Sequence, residues 1–309
     1  MRVLLVRLDG IGDAAVCTPL VAGLLAAGHE VGAALSTRNA GLFAPGVLAA
    51  EHVLERIPWP RHGSTPSSTR RARTEIASMH YDLALVASEE PEAYELARFA
   101  RVRVGFTTGW ARPFKSLWVR AQLTRAVARE AAGGTRHEVE ILAQLGEEYT
   151  APGTPWNDAA RLRPLLAGAA PPPRSGIMLQ AGPKWEAAAP GALRAAVTAL
   201  RARGLHVVAG PGEEESVREA CGVTPSAFDS LRQWVAAIDG AAALVTTDTG
   251  AAHVAGMLGV PVVDIFPDAG FETQVRRWRP WAAPYRALPA AALRDGAAAA
   301  VIERALDEL

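Results

Sequence analysis

Apolar residues run in short unbroken blocks, each closed by a polar or glycine-rich corner and followed by a helical stretch. Val3-Leu4-Leu5-Val6-Arg7-Leu8 feeds directly into Asp9-Gly10-Ile11-Gly12-Asp13, and residues 14–27 then read as an apolar helix stopped at Gly28. Residues 30–35 form a second strand. Tyr81-Asp82-Leu83-Ala84-Leu85-Val86-Ala87 predicts another buried strand, 92–100 a helix, and 102–106 a further strand of the same sheet. Residues 61–71, rich in Ser, Thr, Pro, Gly and Arg, have loop composition and predict a mobile segment. Residues 137–145 are helical in pattern and end at Gly146.

The alternation then breaks. Ala151-Pro152-Gly153-Thr154-Pro155 and Ala170-Pro171-Pro172-Pro173 bracket a stretch without sheet character, which places an interdomain linker at about 150–173. Strands resume at 175–180, 205–209, 243–247 and 260–266, separated by helices at 191–203, 214–220, 231–238 and 251–258. A helix at 297–309 closes the chain. Strands spaced by helices of this length predict parallel sheets with right-handed crossovers. The expected class is α/β, with two Rossmann-like domains, 1–155 and 156–309, facing each other across a cleft.

Composition narrows the partners. A chain of 309 residues suits two domains, and half of it is hydrophobic, enough for a core in each. Lys plus Arg equals Asp plus Glu at 32 each, so no global charge draws the protein to nucleic acid or anionic lipid. Cys17 and Cys221 lie in separate halves without metal-ligand spacing, which argues against a disulfide scaffold. The first residues open a strand and lack the basic and apolar regions of a signal peptide. No run reaches the roughly 18 uncharged apolar residues of a spanning helix. These features predict a soluble, cytoplasmic protein.

Candidate chemistry collects at the corners. In parallel sheets, ligands gather where strands end and helices begin, because free N–H groups point there. Asp13 follows two glycines that let another molecule approach, and its carboxylate is placed to accept a proton. The plain alternative is a helix cap, by Asp9 or Asp13. Leu244-Val245-Thr246-Thr247-Asp248-Thr249-Gly250 repeats the pattern: Thr249 and Gly250 open a helix whose orphan N–H groups suit a diphosphate, unless Asp248 or Thr249 caps it. His253 lies one turn in and is either on the ligand side or buried. Gly182 and Lys184 follow another strand, where a lysine neutralises phosphate charge as a point ion. Glu213 and Glu214 follow a fourth, and either bind ribose hydroxyls or favour the next helix N-terminus. Arg61, His62, Arg70, Arg71 and Arg73 could receive an anionic acceptor or form a solvated basic loop.

Taken in order, these residues resemble the heptosyltransferases, glycosyltransferase family 9 of the GT-B type. The likeness includes Val6-Arg7-Leu8 with Ile11-Gly12-Asp13 and Thr18-Pro19-Leu20, then Tyr81-Asp82-Leu83, Gly105-Phe106 and His137. Gly210-Pro211, the stretch from Asp248 to His253 and Leu258-Gly259-Val260-Pro261 complete it. The resemblance implies an inverting, metal-independent transfer, with the acceptor on the first domain and a nucleotide-diphosphate sugar on the second. It implies Asp13 as general base, and Lys184 with Thr249-Gly250 as diphosphate contacts. Glu213 or Glu214 would contact the nucleoside, Asp248 the donor sugar, and Gly12 would lie on the acceptor side. No cofactor is implied beyond the donor, an ADP- or other nucleotide-diphosphate sugar. A heptose and a glycan or lipopolysaccharide-type acceptor, at the inner membrane surface, come from the likeness alone.

Three stretches depart from the family. Ala87-Ser88-Glu89-Glu90-Pro91 replaces an Asp-Leu-Gln-Gly-like segment on the acceptor side. Lys184 directly precedes Trp185, where the family has one residue between. After Phe266 the expected Gly-Pro-Thr-Asp-Pro run is reduced to Pro267-Asp268-Ala269-Gly270. Competing readings are a nicotinamide oxidoreductase, a non-catalytic nucleotide-sugar binder and a sugar-nucleotide epimerase. The first lacks Gly-x-Gly-x-x-Gly spacing and an acid after its second strand. An intact Asp13 speaks against the second, and the motifs fit the third less well.

Overall fold

The computed structural model describes residues 1–57, 63–107, 112–131 and 133–309. The chain divides into two compact units, Met1–Asn157 and Asp158–Leu309. In the first, six parallel strands take the order β3-β2-β1-β4-β5-β6: β1 Arg2–Arg7, β2 Glu30–Ser36, β3 Ala50–Leu54, β4 Leu83–Val86, β5 Val102–Thr107 and β6 Arg125–Ala128. Its helices are α1 Ile11–Ala15, α2 Thr18–Ala26, α3 Pro66–Met79, α4 Pro91–Ala97, α5 Pro113–Gln122 and α6 Glu138–Ala143. The central strands are apolar on both faces because helices cover both; Val3 to Val6 are wholly buried.

In the second unit, five parallel strands take the order β11-β10-β9-β7-β8: β7 Ile177–Gln180, β8 Leu205–Val208, β9 Ala243–Thr247, β10 Val262–Phe266 and β11 Tyr285–Pro289. The helices are α7 Ala159–Ala167, α8 Pro183–Ala188, α9 Ala192–Leu200, α10 Glu214–Cys221, α11 Leu231–Asp239, α12 Gly250–Leu258, α13 Phe271–Trp278 and α14 Ala298–Asp307. One core, centred on Leu179, Val245, Val263 and Ile265, packs β7, β9 and β10 on α9 and α14. Among the described residues no helix is long and apolar enough to cross a membrane.

Two expectations are corrected. The single helix over 14–27 is two, α1 and α2, because Pro19 in the first turn of α2 lacks an N–H and its ring blocks continuation of the preceding turn. The loop expected at 61–71 is helical from Pro66, where Thr65 caps α3 through Ser68 N–H at 3.4 Å. Ser64 and Thr69 donate to Glu92 at 2.8 and 2.7 Å, so the stretch from Ser64 is anchored. The Pro-rich stretch at 150–173, within which one unit ends at Asn157 and the next begins at Asp158, also holds α7, whose Arg163 grips Asp239 at 2.9 and 2.5 Å and the carbonyls of Gly168 and Ala170.

Candidate functional site

In the first unit, β1 ends at Arg7 and the chain turns through Leu8-Asp9-Gly10 into α1. Buried backbone groups need partners, and three buried polar side chains supply them here. Asn39 Nδ2 donates to the carbonyls of Arg7 and Asp9, both at 3.1 Å, and its Oδ1 accepts the Ser36 N–H at 2.9 Å. Ser88 Oγ accepts the Leu8 N–H at 2.7 Å and donates to Asp9 Oδ2 at 2.9 Å. Arg7 donates to the Ala87 carbonyl and, at 2.6 Å, to Asp13 Oδ1, while its Nε lies 3.3 Å from Asp9 Oδ2. Burial disfavours the Arg7 charge, yet Cys17, Asp13, Asp9 and Glu138 around it raise its pKa above the ordinary guanidinium value. Burial also pushes the Cys17 thiol up to about 12, so it stays protonated and is no nucleophile.

Asp13 itself lies at the start of α1. Its Oδ2 accepts the Gly10 N–H at 3.2 Å, so it does cap α1. Its side chain nonetheless remains 36% exposed, with lone pairs left over from its two donors. Gly10 packs closely against it, since a Cβ there would lie 3.3 Å from Asp13 Oδ2. Gly12, in the first turn of α1, is half-buried beside it. The basic residues lie apart on α3: Arg71 donates to the Val53 carbonyl at 3.2 Å and lies 3.9 Å from Glu75, and Arg70 is exposed. Arg61 and His62 fall outside the described residues.

In the second unit, Thr249 precedes α12 in extended conformation and no side chain caps the helix. Its hydroxyl faces Thr246 Oγ1 at 3.0 Å instead, and the Asp248 N–H is taken by the Ile265 carbonyl at 2.9 Å. The capping alternative thus fails here: the Ala252 N–H goes to the Thr249 carbonyl at 3.1 Å, and the N–H groups of Gly250 and Ala251 open α12 with the helix dipole behind them. Lys184, in the first turn of α8 rather than on a free turn, donates its Nζ to the Asp248 carbonyl. A Cβ at Gly182 would lie 3.1 Å from Glu213 Oε2, and one at Gly210 2.8 Å, so the Glu213 carboxylate rests against the ends of β7 and β8. Glu214 opens α10, half-buried.

Gly182, Lys184, Glu213, Asp248, Thr249 and Gly250 therefore line adjoining corners of one sheet edge. His253 is buried, packed against Trp278 with ring centroids 5.7 Å apart. One residue beside this edge escaped the sequence reading. Asp264, in the middle of β10, is wholly buried, pairs in register with Thr246 and Ala287, and neither carboxylate oxygen has a hydrogen-bond partner. Burial, and then Asp248, hold its pKa well above the carboxylate range against the pull of Lys184. The signal was present as an acid in an otherwise apolar run, Val262-Val263-Asp264-Ile265-Phe266. Arg7, Asn39 and Ser88 were likewise unread as parts of the first corner.

Residues 216–295, which carry Asp248, Thr249, Gly250 and Asp264, match the model of glycosyltransferase family 9 (heptosyltransferase). Over the whole chain the fold is similar to that of Escherichia coli heptosyltransferase WaaC with ADP, at TM-score 0.73 and 19% identity, covering 100% of this chain and 99% of that one. It is similar to E. coli ADP-heptose lps heptosyltransferase II at TM-score 0.70 and 16% identity, with coverage of 100% and 99%. A glycosyltransferase of family 9 from Veillonella parvula gives TM-score 0.66 at 17% identity over 93% and 85% of the two chains. The curated proteins contain no match. The resemblance, the α/β class and the glycosyltransferase assignment read from the sequence are borne out by these matches.

Proposed function

Starting from a chain whose second unit carries the glycosyltransferase family 9 segment, we propose an inverting, metal-independent transfer of a sugar from a nucleotide-diphosphate donor to a glycan or glycolipid hydroxyl. The observation that carries this reading is the uncapped first turn of α12, with the Lys184 ammonium on the neighbouring Asp248 carbonyl. Free N–H groups, a helix dipole and a cation together suit a departing diphosphate.

Asp13 takes the proton of the acceptor hydroxyl as its oxygen attacks the anomeric carbon from the face opposite the diphosphate. The new carbon–oxygen bond forms as the bond to the phosphate oxygen breaks, and the electron pair leaves on the nucleoside diphosphate. Arg7 holds one oxygen of Asp13 and Gly10 the other, so the base is aimed before substrate arrives. Lys184 and the N–H groups at Thr249-Gly250 meet the charge of the leaving group. In this reading Glu213 contacts the ribose and Asp248 the donor sugar. ADP-heptose is the first donor to test, because the E. coli relatives of similar fold are ADP-heptose enzymes or are seen with ADP. The acceptor side is the first unit, and the acceptor is one presented at a membrane surface.

Thermal shifts with a panel of nucleoside diphosphates and their sugars test the donor side. A ligand present at 100 times its Kd adds about 2.7 kcal/mol of stability. Stabilisation by one base, with nucleotide release on adding acceptor, supports the reading; no shift with any nucleotide removes it.

A further inference from the structure

Only four large apolar side chains are strongly exposed among the described residues, and three of them, Phe114, Leu117 and Trp118, stand on α5. Spacing of three and four residues puts them on one helical face, opposite Ser116 and Val119, which face the core. Phe114 is 88% and Leu117 70% exposed. Trp118 is pinned edge-on against Tyr94, ring centroids 5.7 Å apart. By helical geometry Lys115 flanks this stripe on one side and Arg120 on the other, with Arg112 at the helix start.

The charge around α5 is equally one-sided. Between Glu95 and Glu130 the sequence holds seven arginines and one lysine and no Asp or Glu, in a chain whose charges otherwise balance at 32 and 32. Lys115 and Arg129 are partly met by Glu89, and Arg125 by Glu148; Arg98, Arg112 and Arg120 are exposed. An aromatic-aliphatic stripe flanked by cations on a short helix is the pattern that lies in the headgroup layer of an anionic bilayer. A second copy fits less well. Symmetric pairing would bring this predominantly basic face against itself.

We infer that α5 is a membrane-docking element, its occupant the surface of an anionic phospholipid bilayer. Phe114 and Leu117 enter the boundary below the headgroups, Trp118 sits at their level, and Arg112 and Arg120 meet lipid phosphate. The location matters for the acceptor. Lys115 on α5 pairs with Glu89 at 2.8 Å, and Glu89 follows Ser88, which holds the Asp9 turn next to Asp13. Docking through α5 therefore brings the base-bearing edge of this unit to the bilayer, where a lipid-carried acceptor hydroxyl lies. The docking stands on α5 alone; only the nature of what the surface delivers rests on the proposed transfer.

The test is co-sedimentation of the full chain with phosphatidylglycerol–phosphatidylcholine vesicles and with pure phosphatidylcholine vesicles, at low and high salt. The wild-type chain binds the anionic vesicles and is released by salt. Phe114→Ser with Leu117→Ser lowers the partition coefficient about tenfold or more, with an unchanged melting curve because both side chains are exposed. Arg112→Glu with Arg120→Glu removes the preference for anionic lipid. Absence of vesicle binding, or equal binding by the apolar double variant, overturns the inference, as does a wild-type dimer that this variant converts to monomer. Nucleotide release with a soluble acceptor is followed in parallel. Its absence alongside intact vesicle binding removes the proposed reaction and leaves the docking surface standing.

Discussion

Replacing Asp264 by Val should stabilise the protein, and increasingly so as pH rises. The wild-type carboxyl is wholly buried in β10 with neither oxygen hydrogen-bonded, a condition that costs about 1–3 kcal/mol for an unsatisfied polar group. Valine removes that penalty, keeps a compact branched shape, and prefers the pleated backbone. A second component depends on protons. In the unfolded chain the carboxyl ionises with a pKa of about 3.9, whereas burial raises the folded value well above this. The folded state thus keeps a proton that the unfolded state releases. Stability from this group is fully present below about pH 4 and falls by about 1.4 kcal/mol per pH unit above it, until the folded carboxyl itself ionises. The variant has no such loss. Urea unfolding of both proteins at several pH values between 4 and about 8 reads the difference directly, and titrations common to both cancel. A gap that grows with pH at about this slope and then levels supports the account. A gap constant over the range would mean that Asp264 ionises alike folded and unfolded, and would refute it.

Asp13→Asn should lower transfer by about 10²–10⁴-fold with donor affinity nearly unchanged, and near-wild-type turnover would end its assignment as base. Lys184→Ala should reduce kcat by about 10²-fold or more, as loss of one charge-stabilising donor does; steady-state kinetics showing only a KM change would place Lys184 in binding alone. Asn39→Ala removes a donor from the carbonyls of Arg7 and Asp9, leaving Asp9 the Ser36 hydroxyl at 3.3 Å, and takes the acceptor from the Ser36 N–H, so denaturant unfolding should register a loss of about 1–3 kcal/mol. Arg70→Glu with Arg71→Glu should raise the acceptor KM and spare donor affinity; an unchanged KM would assign both residues to the solvated face of α3.

The central strands were legible because burial on both faces writes them as unbroken apolar runs, as in β1 and β9. The edge strands were not. Ala50-Glu51-His52-Val53-Leu54 and Arg125-Ala126-Val127-Ala128 each pair on one side only and carry charged residues that solvent tolerates. Thr65-Pro66 held a cap followed by a first-turn proline, a helix start hidden by the Ser, Thr and Arg residues around it. At the candidate site, the strand-to-helix corners could be read because they are local. The side chains that shape the first corner could not, since Asn39 and Ser88 reach it from about 30 and 80 positions away along the chain. Asp264 was passed over inside its run because its four apolar neighbours still mark the segment as a buried strand.

The bare first turn of α12 has an evolutionary consequence. Proteins gain heat tolerance readily by acquiring a Ser, Asp or Asn that closes such a helix end, each contributing about 0.5–2 kcal/mol. At position 249 an aspartate would do so by occupying the very groups the diphosphate needs, and would bring a like charge to meet it. A laboratory selection for survival on heating should therefore drift toward that substitution and produce sturdy, inert molecules. Natural lineages that keep the chemistry must find their robustness elsewhere in the chain.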